Sequence, residues 1–573
     1  MGHNLSSVSG FSRKETDEMR TGFIVVCSLA IGALAVSPAE TKQDPFTKKL
    51  DKDREVLHAL NRLTFGPQPG DVERVNRIGL KKWIEEQLHP EKIGDNPELD
   101  EKLDALETLR LTEGQLLLEY PPPFLIRQYA DGRLPLPREQ EARQIAEDLV
   151  AKLRDRKQDG DSGARPRPAM MSPADRRKFW QANNPQQAVT YDLWEAKIYR
   201  AALSDRQLLE VLDDFWFNHF NVFLDKGVDR YLIAQYERET IRPNVFGRFG
   251  NLLEATAKSP AMLFYLDNSQ SVGTFSRLAE RQRLAGKKPR GLNENYAREL
   301  LELHTLGVNG GYTQKDVIEV ARCFTGWTIR EPRQGGGFYF NPNMHDTAKK
   351  VVLGHGIKEG GGIEDGEKVL RILAHHPATA RHICYELAQR FVADTPPPAL
   401  VDRMAQKFLS NDGDLREVMK TMLNSTGFWS EGAYLGKIKS PFEFAVSAVR
   451  ALDVDLDDAF VLSNQLAVLG EPLYRKREPA GYSNAGSDWL NSAALLARMN
   501  FAMALAGNRI RGVTVAAKRF REEEDAGAIA DSLLLRPPGE QTLRAITAAQ
   551  SQSKTGPGYV MGLVIGSPDF QRH

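Results

Sequence analysis

Glu299 is an ionisable residue at a position where the sequence predicts the buried face of a helix. The stretch from Asn293 to Thr328 is predicted to form two helices joined by a glycine turn. At about 100° per residue, Glu299 falls within an arc of apolar side chains. The arc consists of Leu292, Tyr296, Leu300 and Leu303. A buried carboxylate is costly unless it is paired, protonated or bound to a metal, so Glu299 is a candidate for chemistry.

His219 occupies the same kind of position in another predicted helix, which begins near Ser204. The apolar face of that helix consists of Leu208, Leu212, Phe215, Val222 and Phe223, with His219 among them. An imidazole in a core needs hydrogen-bond partners for both ring nitrogens, and it is also a common metal ligand. The sequence therefore contains two ionisable groups on helix faces that should be buried.

Three further residues can contribute to a site with these two. His304 ends the helix of Glu299, and His345-Asp346 lies in a glycine-rich segment. Two histidines and one carboxylate suit zinc or non-haem iron, so we predict a divalent-metal site formed by His219, Glu299 and His345. The predicted catalytic residues are Glu299, His304 and Asp346. His304 or Asp346 would be a fourth ligand or would orient the other ligands, and the ion would acidify a bound water.

A purely structural interpretation stays open beside the metal site. In it, His219 and Glu299 form a buried ion pair that holds two helices in register, while His345-Asp346 caps a loop. Such a pair adds little net stability, yet the loss of one partner costs ~3–5 kcal/mol. This cost alone would explain the residues without any catalysis.

The rest of the sequence offers few competing sites. It contains no HExxH motif, P-loop, dinucleotide fingerprint or EF-hand loop. His375, His376 and His382 share no i, i+4 spacing, and we interpret them as caps or surface residues. Lysine plus arginine equals aspartate plus glutamate at 76 each, so the overall charge favours neither nucleic acid nor an anionic membrane.

Helices must position the candidate residues, because apolar residues recur mostly at helical spacing and few stretches alternate with period two. The predicted fold is all-α or nearly so, a large multi-helix single domain over residues 53–573. The glycine-rich segment from Glu331 to Gly366 has no helical period and is predicted to be an inserted loop or small hairpin. A polar stretch at about 158–187 is predicted to leave the helical body as a loop.

The N-terminus is typical of an exported protein. Arg20 precedes the apolar run Gly22 to Val36, and small residues follow, which is the pattern of a secretory signal peptide. We predict a signal peptide at 1–39, with Met19 as an alternative start, and a linker at 40–52. The mature protein would be periplasmic or secreted without a membrane span; an uncleaved N-terminal anchor is the alternative. Cys323 and Cys384 would remain, either as one disulfide or as two buried thiols.

Several ordered motifs resemble a known bacterial family. They are NENYARELLELHTLGVNGGYT from Asn293, FWFNHFNVF from Phe215, SPAMLFYLDN from Ser259 and KIKSPFEF from Lys437. In these motifs the chain resembles the family catalogued as domain of unknown function 1800. The resemblance implies a mostly helical, usually exported bacterial protein, and it implies no particular activity.

Three hypotheses about function follow from these observations. The first is a metal-dependent enzyme, a hydrolase or an oxidoreductase, that acts on an unknown extracytoplasmic substrate at a buried His/Glu site. The second is a non-catalytic extracytoplasmic scaffold or binding protein whose partner is another protein. The third is sugar binding through the aromatic run Phe338-Tyr339-Phe340.

Overall fold

The computed structural model of the protein describes residues 44–94, 96–158, 167–330, 336–516, 525–551 and 556–573. The predicted signal peptide, residues 1–39, lies outside these residues. Among the helices described, none combines the length and the apolar character that a membrane span needs.

Helices make up most of the described chain, which confirms the predicted fold class. The α-helices are Lys52–Leu63, Asp71–Ile78, Leu80–Gln87, Pro97–Asp104, Glu113–Glu119, Pro123–Ala130, Gln140–Gln158, Pro173–Asn183, Pro185–Leu203, Gln207–His219, Asp229–Gln235, Phe249–Ala257, Pro260–Tyr265, Arg277–Leu284, Asn295–Glu302, Gln314–Cys323, Glu364–Ala374, Pro377–Phe391, Pro398–Ser410, Leu415–Leu423, Pro441–Ala451, Phe460–Leu469, Ser492–Ala506, Ala526–Leu534, Glu540–Ser551, Pro557–Gly566 and Pro568–Gln571. A π-helical segment, Tyr236–Ile241, continues the helix that begins at Asp229.

Short antiparallel strand pairs accompany the helices. Within the described residues they are Trp327–Ile329 with Phe338–Phe340, Lys350–Val352 with His355–Ile357, and Val454–Leu456 with Val513–Val515. The first two pairs involve the glycine-rich segment that the sequence predicts as a loop or small hairpin. Phe340 lies opposite Trp327 in the first pair, and this register sets the start of the loop that carries His345.

One large apolar core connects elements from both ends of the chain, with buried side chains from Ala59 to Phe570. The helix Pro185–Leu203 lies at its centre and is buried on almost every side, including its charged residues Asp192 and Glu195. The side chain of its Lys197 is 11% exposed.

The helix that carries Glu299 is shorter than its pattern predicts. It extends only from Asn295 to Glu302, and its buried residues are Tyr296, Ala297, Leu300 and Leu301. Glu299 is half-buried at the edge of this face rather than within it. The next helix agrees with the sequence: Thr313 and Asp316 form the expected capping box, and Val317, Val320, Ala321 and Phe324 are buried.

The polar stretch differs in detail from its prediction, whereas the two cysteines match one of the two alternatives that the sequence leaves open. The polar stretch at about 158–187 contains the helix Pro173–Asn183, whose first turn is capped by the Ser172 side chain, and residues 159–166 lie outside the described residues. Cys323 and Cys384 are free, buried thiols and form no disulfide. Burial raises the pKa of both thiols, so neither is a reactive thiolate.

Candidate functional site

His219 is buried at the end of the helix Gln207–His219, and both of its ring nitrogens are hydrogen-bonded. Nδ1 lies 2.6 Å from Oε2 of Glu386, and Nε2 lies 3.3 Å from the backbone oxygen of His304. A carboxylate and a carbonyl both accept, so each ring nitrogen lies where it can donate a hydrogen bond. The partner of His219 is thus Glu386, and not Glu299 as the structural interpretation of the sequence proposed.

Two histidines, His219 and His382, contact Glu386, and the ring of His304 lies beside that of His219. We term these four residues the histidine cluster. The ring of His219 lies 6.1 Å from that of His304 and 6.3 Å from that of His382. Nε2 of His382 donates to the backbone oxygen of Leu303 at 3.1 Å and lies 3.5 Å from Glu386. His382 is therefore half-buried in the cluster, whereas the sequence suggested a cap or a surface residue.

The histidine cluster holds opposite charges in fixed places. Burial, together with the charges of His219 and His382, lowers the pKa of His304 well below its usual value, so His304 is neutral. Its Nε2 is buried and has no hydrogen-bond partner among the described residues. Burial opposes the ionisation of Glu386, but the charge of His219 and the hydrogen bond from it lower the pKa of this carboxyl. The cluster is therefore an ion pair with a neutral imidazole beside it.

Glu299 does not belong to the histidine cluster. Its carboxylate forms no hydrogen bond or ion pair with any described residue, and burial together with the nearby charge of Glu302 raises its pKa. Only its backbone oxygen is used, as the acceptor for the amides of Leu303 and His304. Because the helix ends at Glu302, the side chains of Glu299 and His304 are not brought together by a regular helical turn.

His345 and Asp346 lie in a second buried group, which we term the loop network and define as His345, Asp346, Lys350, Asp365 and Arg322. Nδ1 of His345 donates to the backbone oxygen of Thr325 at 2.8 Å, and Nε2 donates to Asp365 at 3.2 Å. Nζ of Lys350 lies 2.7 Å from the same carboxylate. Arg322 donates to Oδ1 of Asp346 at 2.9 Å. These contacts fix the loop to the helices on either side of it.

The predicted metal ligands are therefore not gathered at one place. No hydrogen bond, ion pair or ring contact in the described part of the chain links the histidine cluster with the loop network. The described residues also contain no group of three or more His, Cys, Asp or Glu side chains arranged to hold a metal ion. His219 and His345 each use both ring nitrogens as donors, and each would have to give up a hydrogen bond to bind a metal.

A cleft that the sequence does not predict is a better candidate for a functional site than the predicted metal ligands. It lies between the helix Gln207–His219, the start of the helix Pro441–Ala451 and the loop from Glu471 to Trp489, and its volume is ≈ 60 Å³. Its walls include residues of two motifs quoted above, FWFNHFNVF and KIKSPFEF. A space of this size fits a small polar group or the end of a longer molecule, since one water needs ~10–15 Å³ by the same measure.

Two glutamates in the cleft are held in opposite protonation states. Burial opposes the ionisation of Glu443, but the neighbouring Arg390 and His573 lower its pKa to about 2. Burial and the charge of Asp214 raise the pKa of Glu471 to about 8. The observed donor to Glu471 is neutral, the backbone N–H of Phe442 at 2.8 Å, whereas Glu443 is ion-paired with Arg390. At neutral pH, Glu443 is therefore ionised and Glu471 keeps its proton.

A lysine from the central helix completes the base of the cleft. Nζ of Lys197 lies 2.7 Å from Oδ1 of Asp214 and 5.1 to 5.6 Å from the ring centres of Phe217, Phe442 and Tyr474. Burial disfavours the charge, but Asp214, Glu237 and Asp213 raise the pKa of Lys197 above its usual value. The lysine is a permanent cation that holds the Asp214 carboxylate in place.

Tyr474 connects the cleft with buried carboxyl groups behind it. Its hydroxyl donates to Oε2 of Glu237 at 2.7 Å, and Glu237 lies in the π-helical segment. Asp213 also lies behind the cleft: burial raises the pKa of its carboxyl, and Arg242, 2.9 Å from its Oδ2, opposes this rise. Tyr474 also has a backbone φ of 58°, an uncommon conformation for a tyrosine that often marks a functional position.

Sequence patterns could not reveal this cleft, because its residues come from distant segments. Lys197, Asp214, Glu443 and Glu471 share no spacing, and each lies in an ordinary helix or loop. One signal was available: Asp214 and Glu443 lie within or beside the two motifs of the resemblance. The fold then brings those motifs to one surface.

Comparison with known proteins places the chain in a family. A family model described as "Protein of unknown function (DUF1800)" matches residues 58–572, nearly the whole sequence. The chain belongs to this family. No curated protein and no solved structure matches it. Family membership thus covers the cleft, the histidine cluster and the loop network, and any assignment of chemistry depends on their geometry.

Proposed function

We propose that the protein is an exported hydrolase in which Glu471 donates a proton to the leaving group of a small polar substrate bound in the cleft. The observation that carries this proposal is that Glu443 and Glu471 line one cleft but have opposite partners, Arg390 for the first and a neutral backbone N–H for the second. Neighbouring carboxyl groups whose surroundings drive their protonation apart are typical of acid–base catalysis. Export is proposed from the N-terminal sequence pattern.

Asp214 is the base in this proposal. It lines the same cleft, its charge acts on Glu471, and Lys197 fixes one of its oxygens. In the hydrolysis, Asp214 takes a proton from the attacking water while Glu471 gives one to the departing oxygen or nitrogen. The bond to the leaving group breaks as the bond to water forms, and transfer of a proton from Asp214 to Glu471 restores the starting state.

Tyr474 positions the cleft wall rather than supplying the transferred proton. Burial and the adjacent Glu237 raise the pKa of Tyr474 well above its usual value, so its hydroxyl stays protonated and keeps donating to Glu237. Replacement by phenylalanine removes this hydrogen bond and leaves the ring. We expect Tyr474→Phe to lower the rate much less than Glu471→Gln does.

The metal-dependent hypothesis stays a prediction from the sequence, and so does the sugar-binding hypothesis. Of the three aromatic residues in the run, Phe338 packs against Trp327 and Phe340 against His345, with ring centres 5.2 and 5.4 Å apart. Only Tyr339 is exposed. A sugar would therefore find one ring rather than a platform of three.

The test is a screen of purified mature protein against chromogenic esters, amides, glycosides and phosphoesters, with Glu471→Gln assayed in parallel. General acid catalysis contributes typically ~10²–10⁴-fold, so we expect Glu471→Gln to lower kcat/KM by a factor of that size. We also expect the pH profile of the variant to lose its alkaline limb. The matched control is Glu478→Gln, because Glu478 is exposed on the same loop and its ion pair among the described residues is with Lys476.

Two outcomes would contradict the proposal. One is an activity that Glu471→Gln and Glu478→Gln reduce equally. The other is a folded protein without activity on any class whose Glu471→Gln variant changes only in stability, which is what the hypothesis of a non-catalytic scaffold predicts.

A further inference from the structure

Lys439 is a buried lysine whose amine has no carboxylate partner among the described residues. It is 5% exposed, and its Nζ donates to Oγ of Ser447 at 2.9 Å and lies 4.0 Å from the ring centre of Phe570. Among the described residues, no carboxylate lies within ion-pair distance of this nitrogen. An isolated charge in the interior is costly unless it is paired, so an unpaired lysine here requires an explanation.

The lysine and its serine partner face a small cavity that is separate from the cleft. Arg536, Asp569 and Arg572 are also among its lining residues, and its volume is ≈ 20 Å³. Arg572 is exposed, so the cavity reaches the surface there. The residues Lys437 and Ser440, on either side of Ile438-Lys439, line the cleft instead.

The charges around the cavity are unbalanced. Arg536 and Arg572 supply two cations and Lys439 a third basic group, whereas Asp569 supplies one carboxylate, which pairs with Arg536 at 2.9 Å. Burial lowers the pKa of Lys439 to about 7, with Glu443 opposing the change and Arg498 and Arg536 adding to it. The cavity is therefore electropositive, and its lysine has donors that an anion can use.

We propose that this cavity binds the oxyanion of a small ligand, a carboxylate or a phosphate group. Nζ of Lys439 and the hydroxyl of Ser447 would donate to the oxyanion at the base of the cavity, and Arg572 would donate at its rim. The Ser447 hydroxyl is available because its bond to the backbone oxygen of Phe444 is long, 3.4 Å. Only the charged end of a ligand fits, because ≈ 20 Å³ holds little more than a water-sized group.

The site stands apart from the proposed hydrolase. Its residues take no part in the roles assigned to Glu471 and Asp214, and binding can be measured without a substrate. Anion binding should also draw a proton onto Lys439, because a bound negative charge favours the ammonium form. Proton uptake at pH 7 to 8 is therefore a specific signature of the lysine.

The experiment is isothermal titration of the mature protein with inorganic phosphate and, separately, with acetate, in two buffers of different ionisation enthalpy. We expect saturable binding of at least one anion with uptake of a proton. Lys439→Met should weaken binding about 30-fold or more, since truncating one member of a buried charge pair costs ~2 kcal/mol or more. Lys81→Met, an exposed lysine, is the matched control.

The two anions distinguish a phosphate ligand from a carboxylate ligand. Absence of binding for both would overturn the proposal, and so would binding that Lys439→Met leaves unchanged. If Lys439→Met does not fold, Arg572→Gln at the exposed rim serves instead. An affinity of this variant that is unchanged for the anion that the native protein binds would also overturn the proposal.

Discussion

Oε2 of Glu386 lies 2.6 Å from Nδ1 of His219, although the two residues are 167 positions apart in the sequence. The contact joins the helix Gln207–His219 to the helix Pro377–Phe391, and the carbonyl of His304 holds the other side of the same imidazole. His219 thus connects three elements by hydrogen bonds. The sequence identified the residue but not its partner.

Glu386→Gln should lower the free energy of unfolding by ~1–1.5 kcal/mol at neutral pH, because it replaces a hydrogen bond to a charged group with a neutral one. His219 lowers the pKa of Glu386 in the folded state. The contribution is therefore complete above the unfolded pKa of about 4.3 and is lost as the pH falls through the folded value. Urea unfolding over that pH range measures it. A difference that persists unchanged in acid would exclude the ion pair.

Lys350→Met should be among the most destabilising substitutions in the loop network. Lys350 is buried, and its Nζ binds Asp365 at 2.7 Å as well as the backbone oxygen of Asp346. Removing Lys350 leaves the buried Asp365 carboxylate with His345 as its partner, and breaking a buried ion pair costs up to ~3–5 kcal/mol. Thermal unfolding should show the loss, while Lys349→Met at the exposed neighbour should be neutral. Equal effects of both variants would show that the buried pair contributes nothing.

Glu471→Gln should make the protein more stable than the native protein, and this difference in the free energy of unfolding should grow as the pH rises. The pKa of Glu471 is about 8 in the folded state and about 4.5 ordinarily, so folding keeps a proton that the unfolded chain releases. Stability of the native protein therefore falls between these values, by on the order of 3 kcal/mol at pH 7. The variant has no such proton to lose. Unfolding free energies from pH 5 to 8 should converge at low pH and diverge at high pH, and parallel curves would refute the assignment.

Gly481→Ala should disturb the cleft through its backbone. Gly481 has a φ of 68°, and an added Cβ would lie 2.3 Å from the backbone oxygen of Asn218. We expect Gly481→Ala to lower the free energy of unfolding by ~1–3 kcal/mol and to abolish any activity of the cleft. Gly470→Ala is the control, because Gly470 also has positive φ, 103°, but open space around it. Equal losses in the two variants would attribute the effect to φ alone.

Elemental analysis of the protein from about residue 40 onward, purified without a metal-binding tag, tests the predicted metal site directly. Since His219 and His345 donate from both ring nitrogens, we expect no stoichiometric zinc or iron that depends on His219, Glu299 and His345. One equivalent of metal that His219→Ala removes would contradict this expectation. It would also show that the histidine cluster rearranges around an ion.

Much of the fold is readable from local sequence because helix formation is local. The capping box of Thr313 with Asp316 and the buried face of Val317, Val320 and Ala321 depend only on residues within a few turns. The shortening of the Glu299 helix was not readable. It ends at Glu302, and His382 from another helix then donates to the carbonyl of Leu303 at 3.1 Å.

By itself, the sequence determined the helical class, the family and the burial of His219. Only the tertiary structure decided which residues pair with the histidines: Glu386 with His219, and Asp365 with His345. It also decided that Glu471 keeps its proton at neutral pH while Glu443 is ionised. The physical reason is that hydrophobic periodicity reports which face of a helix is buried, whereas the protonation of a buried group depends on what lies across from it. Those neighbours come from distant segments, and no spacing in the sequence encodes them.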